Sequence, residues 1–471
     1  MAATIELSLA SPKFRGLGPE ARDLLGIIAF FPQGVNENNL DWLFPSIANR
    51  RDIFDKLCVL SLTYRSNGFT TMLAPLRDYL RPKDPGTSPL LRTTKECYFR
   101  RLSAHVSPQG SGFEEAQWIV LEDANVEYML DVFTSIDADS VEVWTGCTNF
   151  MSHLYWHKPR LVGLGPKIER LSDDHPSKPK CLFALSRLFG SVGNSAERKR
   201  LLTHTLKIWR ERGKTRMVAE TLRFLSRANG MLGLYKEGIQ HMKEASELYD
   251  QLGDVGGQRR ALERLAQLLR GDGQLEAAET TASQLIAILP DEPRPRNLCR
   301  SHFLHGRICD SKGETERAID HFKTALDISS PLGWHSDVSR IHHNLARIYS
   351  DQSRFDDAHA HIEQAKLHSI NNPYRRGRAM VLQARSWCME GRYEEAKAEY
   401  LCAIEVFGNL GDTEEVESCR ERLRRIEESV GPSVVITPGG SDLNVNSELP
   451  KTICILLLTP FDSPFLEHGA Q

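Results

Sequence analysis

The residues whose types and spacing could do chemistry are arginines. Arg227, Arg307, Arg347 and Arg385, with Arg187 before them, recur at steps near forty residues, and Gln267 fills the one neutral place in the row. A second row, seven residues earlier, reads Lys180, Glu220, Arg260, Arg300, Arg340 and Arg378. A step of seven is two helical turns, so on a helix the two rows share a face. A guanidinium offers planar paired donors to a carboxylate or phosphate. Two readings stand. The rows line a surface for an extended acidic or phosphorylated segment, or they pair with Asp and Glu of neighbouring helices in a structural zipper whose exposed links are worth about 0–1 kcal/mol each. Asn344, between Arg340 and Arg347, could bond a bound peptide backbone.

Other chemistry is thinner. Cys299, His302, His305 and Cys309 lie on one predicted helix, which can aim only two ligands at one ion, so the histidines read as packed. His359, His361 and His368 face several directions, and no metal or cofactor is expected at either group. Asp356-Asp357 and Glu394-Glu395 follow turns, where negative charge suits a helix N-terminus. No GxSxG and no Cys with a recognisable His partner motif occurs. Gly213-Lys214-Thr215 is not a P-loop, because Ile208 stands where G-x-x-x-x-G-K-[ST] needs its first glycine, and it reads as a turn. The chain is expected to be no enzyme.

The rows depend on a repeat. With units begun at Pro179, Ala219, Arg259, Cys299, Ser339 and Gly377, the eighth position is always small (Ser186, Ser226, Ala266, Gly306, Ala346, Ala384). The twentieth reads Arg198, Gly238, Ala278, Ala318, Ala358, Ala396, and the twenty-seventh Thr205, Ala245, Leu285, Ala325, Ala365, Ala403. Near the fifteenth stand Gly193, Gly233, Gly273, Gly313, Ser353 and Gly391. The pattern predicts two amphipathic helices joined by a glycine turn and packed closely through small side chains. Such a hairpin cannot cover its own apolar face, so units must stack.

Small at 8, Gly at 15, aromatic at 17 (Tyr235, Phe355, Tyr393) and Ala at 20 and 27 resemble the tetratricopeptide repeat, although 40 exceeds that family's common 34 residues. The resemblance implies an all-α solenoid of about six 40-residue hairpins over 179–430, closed by a polar capping helix near Glu414–Ser429. It also implies that positions 2, 5, 9 and 12 of each first helix line a concave groove. That places Arg227, Arg260, Arg300, Arg307, Arg340, Asn344, Arg347, Arg378 and Arg385 against a protein or peptide partner, acidic or phosphorylated, or against the chain's own tail. Leu382 stands where the chaperone-tail carboxylate clamp needs a basic residue.

Ahead of the array, residues 14–89 have another texture: LGPEARDLLGIIAFFPQG, then LTYRSNGFTTMLAPLRDYL, predict a small winged-helix-like module with a hairpin at Ser66-Asn67-Gly68. The run resembles the winged-helix segment of fungal NLR-like, STAND-class signalling ATPases of the NB-ARC and NACHT type. The alternative function is thus the sensor or regulatory portion of such an ATPase, its nucleotide-binding domain absent from this chain. A DNA-binding role is disfavoured by only two basic residues, Arg65 and Arg77, in Ser61–Tyr79. Residues 90–178 read as a helical connector, 1–13 as a flexible N-terminus and 431–471 as a disordered tail, whose Thr459-Pro460 and Ser463-Pro464 suit proline-directed kinases.

The 471 residues carry 59 Lys plus Arg against 62 Asp plus Glu, a net −3, so no global basic field favours nucleic acid. Ten cysteines without a CxxC pair fit a reduced, cytoplasmic compartment. The start has no signal-peptide pattern, and the apolar runs Leu24–Phe31 and Ile453–Leu458 are too short to span a bilayer.

Overall fold

The computed structural model describes residues 2–104, 118–157, 160–288, 295–370, 372–410 and 412–430. The tail from 431 lies outside them. The chain divides into two compact units, one ending at Leu232 and one beginning at Gly233. The boundary falls inside the repeats.

In the first unit the start of the chain differs from expectation. Residues expected to be flexible form helices Ala2–Leu9 and Pro12–Arg15, because Leu9 and Phe14 have a core to enter and are 5% and 6% exposed. Helix Glu20–Phe30 follows, its Leu24, Leu25, Ile28 and Phe30 buried. Three short strands, β1 (Val35–Asn36), β2 (Tyr64–Ser66) and β3 (Phe69–Thr71), form an antiparallel sheet in the order β1-β3-β2. Helices Leu40–Leu43 and Arg50–Val59 lie between β1 and β2 in the chain. The β2–β3 turn falls on Asn67 and Gly68, with φ of 51° and 81°, the left-handed pair that a two-residue hairpin requires.

The connector helices Pro89–Ala104, Asp123–Ile136 and Val141–His157 share one apolar core with that segment and with helix Lys178–Ser191. Their polar tie is Glu122, fully buried, which accepts from Tyr98 Oη and Asn39 Nδ2. Asn125 Nδ2 donates to Gly34 O at 2.9 Å and its Oδ1 accepts from Gln33 N at 3.0 Å. Burial raises the Glu122 pKa despite these donors.

Both units contain repeat helices. First helices are Lys178–Ser191, Thr215–Met231, Val255–Gly271, Pro295–Ser311, His335–Asp351 and Pro373–Met389. Second helices are Ser195–Glu211, Tyr235–Gln251, Leu275–Ala287, Thr315–Ser329, Phe355–Leu367 and Tyr393–Leu410. Each first helix after the opening one starts a turn earlier than the unit boundaries set in the sequence. The final helix, Thr413–Val430, packs on Tyr393–Leu410 through Val416, Cys419 and Ile426. The small positions do what their size predicts: Ser186, Ser226, Ala266, Gly306, Ala346 and Ala384 are all buried. A Cβ on Gly306 would sit 2.8 Å from the Phe322 ring. Gly313 closes its helix at φ 78°, with Glu314 N donating to Cys309 O at 2.9 Å, and Ser353 takes the same conformation at φ 58° without glycine's freedom. The architecture is an all-α, tetratricopeptide-type solenoid preceded by a small mixed segment.

Candidate functional site

The candidate site is the face of the first helices in the second unit. Helices Pro295–Ser311, His335–Asp351 and Pro373–Met389 each carry two arginines seven residues apart: Arg300 and Arg307, Arg340 and Arg347, Arg378 and Arg385. Arg260 is exposed on Val255–Gly271, and Arg227 is half-buried on Thr215–Met231 in the first unit.

Three of these arginines reach an acid on a neighbouring hairpin, and Arg378 reaches one on the final helix. Arg300 Nη2 and Nε donate to Glu263 Oε1 at 2.7 and 3.1 Å, and Glu263 is only 7% exposed. Arg347 pairs with Asp310, and its Nη1 donates to Asp351 Oδ2 at 3.0 Å. Arg385 Nη2 reaches the other oxygen of Asp351 at 2.9 Å. Arg378 Nη1 donates to Glu415 Oε1 at 2.8 Å, which the Tyr374 hydroxyl also approaches at 3.3 Å. Arg340 lies 4.5 Å over the Phe303 ring and 3.8 Å from Asp337. Asn344 spends its amide on its own helix, donating to Arg340 O at 2.8 Å.

Electrostatics along this face are uneven. Burial opposes the Arg347 charge, and Asp310 with Asp351 more than offsets it, raising the pKa; Glu415 does the same for Arg378. Arg385 is pulled down because burial outweighs Asp351, and its Nε is buried with no acceptor among the described residues. At the centre stands His343, on the fifth repeat position. Burial, then Arg378, Arg347, Arg375 and Arg385, hold its ring down at about 3.

The sequence rows contained the arginines but missed His343, Tyr374 and the acids. A signal for the acids existed: Glu263 and Arg300, Asp310 and Arg347, Arg378 and Glu415 are each 37 residues apart. The other singled-out groups disperse. Cys299 Sγ bonds Ala325 O at 3.4 Å and His305 Nδ1 contacts Ser301 O at 3.1 Å, so the four residues of that helix do not converge. His359 bonds Glu390 and Gln383. Asp357 pairs with Arg354 at 2.6 Å and Glu394 with Lys397 at 2.8 Å. Gly213, at φ 63°, is a turn between helices. One acid–thiol group, Glu279, Cys309 and Glu314, already holds a cation: Lys312 Nζ lies 2.5 Å from Glu279 and 3.1 Å from Glu314.

Comparison with known proteins agrees with this architecture. Tetratricopeptide repeat models match residues 297–366 and 343–405, which carry Arg300, Arg307, Arg340, Arg347, Arg378 and Arg385. No curated protein matches the chain by sequence. Among solved structures, a Signal Transduction ATPase with Numerous Domains (STAND) protein with a tetratricopeptide repeat sensor, from Pyrococcus horikoshii, is 16% identical with a TM-score of 0.51. That likeness covers 87% of this chain and 64% of the archaeal one, just under two thirds of its length. A Rap protein complexed with Competence and Sporulation Factor is 13% identical, TM-score 0.45, over 71% of this chain and 98% of its own. The quorum sensor NprR from B. thuringiensis is 12% identical, TM-score 0.44, over 70% and 98%. These likenesses are of fold. Among the described residues no helix is long and apolar enough to cross a membrane.

Proposed function

We propose that the chain is a non-enzymatic, cytoplasmic protein-interaction scaffold whose repeat face holds an extended acidic segment. The observation that carries this reading is the alignment of Arg300 and Arg307, Arg340 and Arg347, and Arg378 and Arg385 on three successive first helices within matched tetratricopeptide repeats. Their intramolecular acids are competitors for a ligand rather than obstacles to it. A partner carboxylate or phosphate that displaces Asp310 or Asp351 exchanges one charge-assisted bond for another, so the cost is small. The segment belongs to another protein or to residues 431–471, where Asp442, Glu448, Asp462 and Glu467 outnumber Lys451.

The test compares capture of partners from lysate by the full chain, by R307E/R347E/R385E, and by D310N/D351N. Loss with the arginine reversals and gain with the asparagines, both with unchanged helicity, is the expected result. Equal capture by the reversed and original chains overturns the reading.

A second reading has its own observation. The likeness to the STAND protein covers 87% of the chain, and near the start of the chain helix, strand, two helices and a β-hairpin follow in the order of a winged helix. On that reading the chain is the sensing part of a signalling ATPase whose nucleotide-binding domain it does not contain.

A further inference from the structure

Three pairs of histidines join the two helices of their hairpins. His302 and His321 bring Nδ1 to Nδ1 at 3.2 Å, His342 and His361 at 2.7 Å, and His335 and His368 at 2.9 Å. The first two pairs occupy equivalent places forty residues apart, on consecutive hairpins. The third shares a hairpin with the second, the His342 and His368 rings lying parallel with centroids 6.3 Å apart. Each pair takes one ring from the first helix, or its first residue, and one from the second helix or its C-cap. Four of the six rings are half-buried and His335 is exposed; His342 is buried, at 8% exposure, so its pair is reached through the half-buried ring of His361.

An ion bound by two imidazoles at about 2.0–2.1 Å, with an angle of about 90–110° between them, holds its nitrogens about 2.9–3.4 Å apart. Two pairs already stand in that range, and the third needs a few tenths of an ångström. Within each pair one Nδ1–H donates to the other Nδ1. Moving that proton to Nε2 of the same ring leaves both Nδ1 lone pairs free, with no net proton released. Imidazole nitrogen suits late first-row divalent ions. We propose that these three histidine pairs are bidentate sites for a divalent zinc- or copper-type ion that staples the helices of its hairpin, water completing the coordination.

The test uses the full chain, stripped with a chelator and then titrated with Zn(II) at pH 7.5. The unfolding midpoint should rise saturably by several degrees, because the ion binds the folded pair and not the open chain. In H302Q/H335Q/H342Q that rise should vanish and Zn(II) affinity should fall at least tenfold. Cu(II) should give a spin-resonance signal split by two imidazole nitrogens in the original chain and lose it in the variant. Should the triple variant fail to fold, H335Q alone, at an exposed first helical residue, must lower the number of bound ions by one. An original chain without a saturable rise, a triple variant that keeps it, or an H335Q chain with unchanged stoichiometry overturns the proposal.

Discussion

His343 is a single side chain whose surroundings predict a pH response. Its ordinary pKa of 6.5 falls to about 3 in the fold, through burial first and then Arg347 on its own helix and Arg375, Arg378 and Arg385 on the next. His342 falls to about 4, through burial and then His361 and His368. A depressed pKa means that the unfolded chain binds a proton that the folded chain refuses. The stability tied to both rings is therefore full above pH 6.5 and is lost as pH falls through 6.5 toward 4 and 3. Urea midpoints should be flat from pH 8 to 7 and drop steadily from 6.5 to 4.5, and His343→Gln should flatten part of that drop. A midpoint that does not move between pH 7 and 4.5 would refute this account. His343 could have been marked from the sequence, since its fifth position is one that lines a tetratricopeptide groove. What no sequence pattern supplied was the combined electrostatic influence of four guanidinium groups on it, which depends on how two neighbouring helices present their side chains.

For the helical hairpin, the repeat rests on small residues beneath aromatic ones. Phe322 is fully buried and its ring lies against Gly306, where an added Cβ would meet it at 2.8 Å. Gly306→Val should therefore destabilise by roughly 1–3 kcal/mol through overpacking, although glycine is the poorer helix former. Phe322→Ala should cost about 3–5 kcal/mol by leaving a cavity. The double substitution should be milder than the sum of the two, because removing the ring relieves the clash. Chemical denaturation of the three variants measures this, and strict additivity would show that the two sites do not share their packing. Hairpins of this kind were legible because size is encoded one residue at a time: Ala318, Ala358 and Ala396 are small for a reason local to one helix crossing. The N-terminal helices were not legible. Leu9 and Phe14 belong to a core assembled from residues up to Ile208, and nothing nearby in sequence announces that core.

Across the whole molecule the charges almost cancel, at 59 against 62, yet they are ordered. Ion pairs 37 residues apart tie one hairpin to the next, as in Asp310 with Arg347, so the array gains nearest-neighbour coupling beyond its apolar stacking. This arrangement serves a scaffold without further parts, whereas the signalling-ATPase reading needs a nucleotide site. The only Gly-Lys-Thr sits on an inter-helix turn at Gly213, preceded by Ile208 instead of the glycine that starts a phosphate-cradling loop. Nucleotide at 100 times its dissociation constant would stabilise the fold that binds it by about 2.7 kcal/mol. For a unit of 150–250 residues that corresponds to a rise in melting midpoint of roughly 5–10 °C. Millimolar MgATP should leave every melting transition of this chain where it is without nucleotide. A saturable rise of several degrees would place a phosphate site in this chain and make it a switch in its own right; no rise leaves any ATPase role to a separate nucleotide-binding domain.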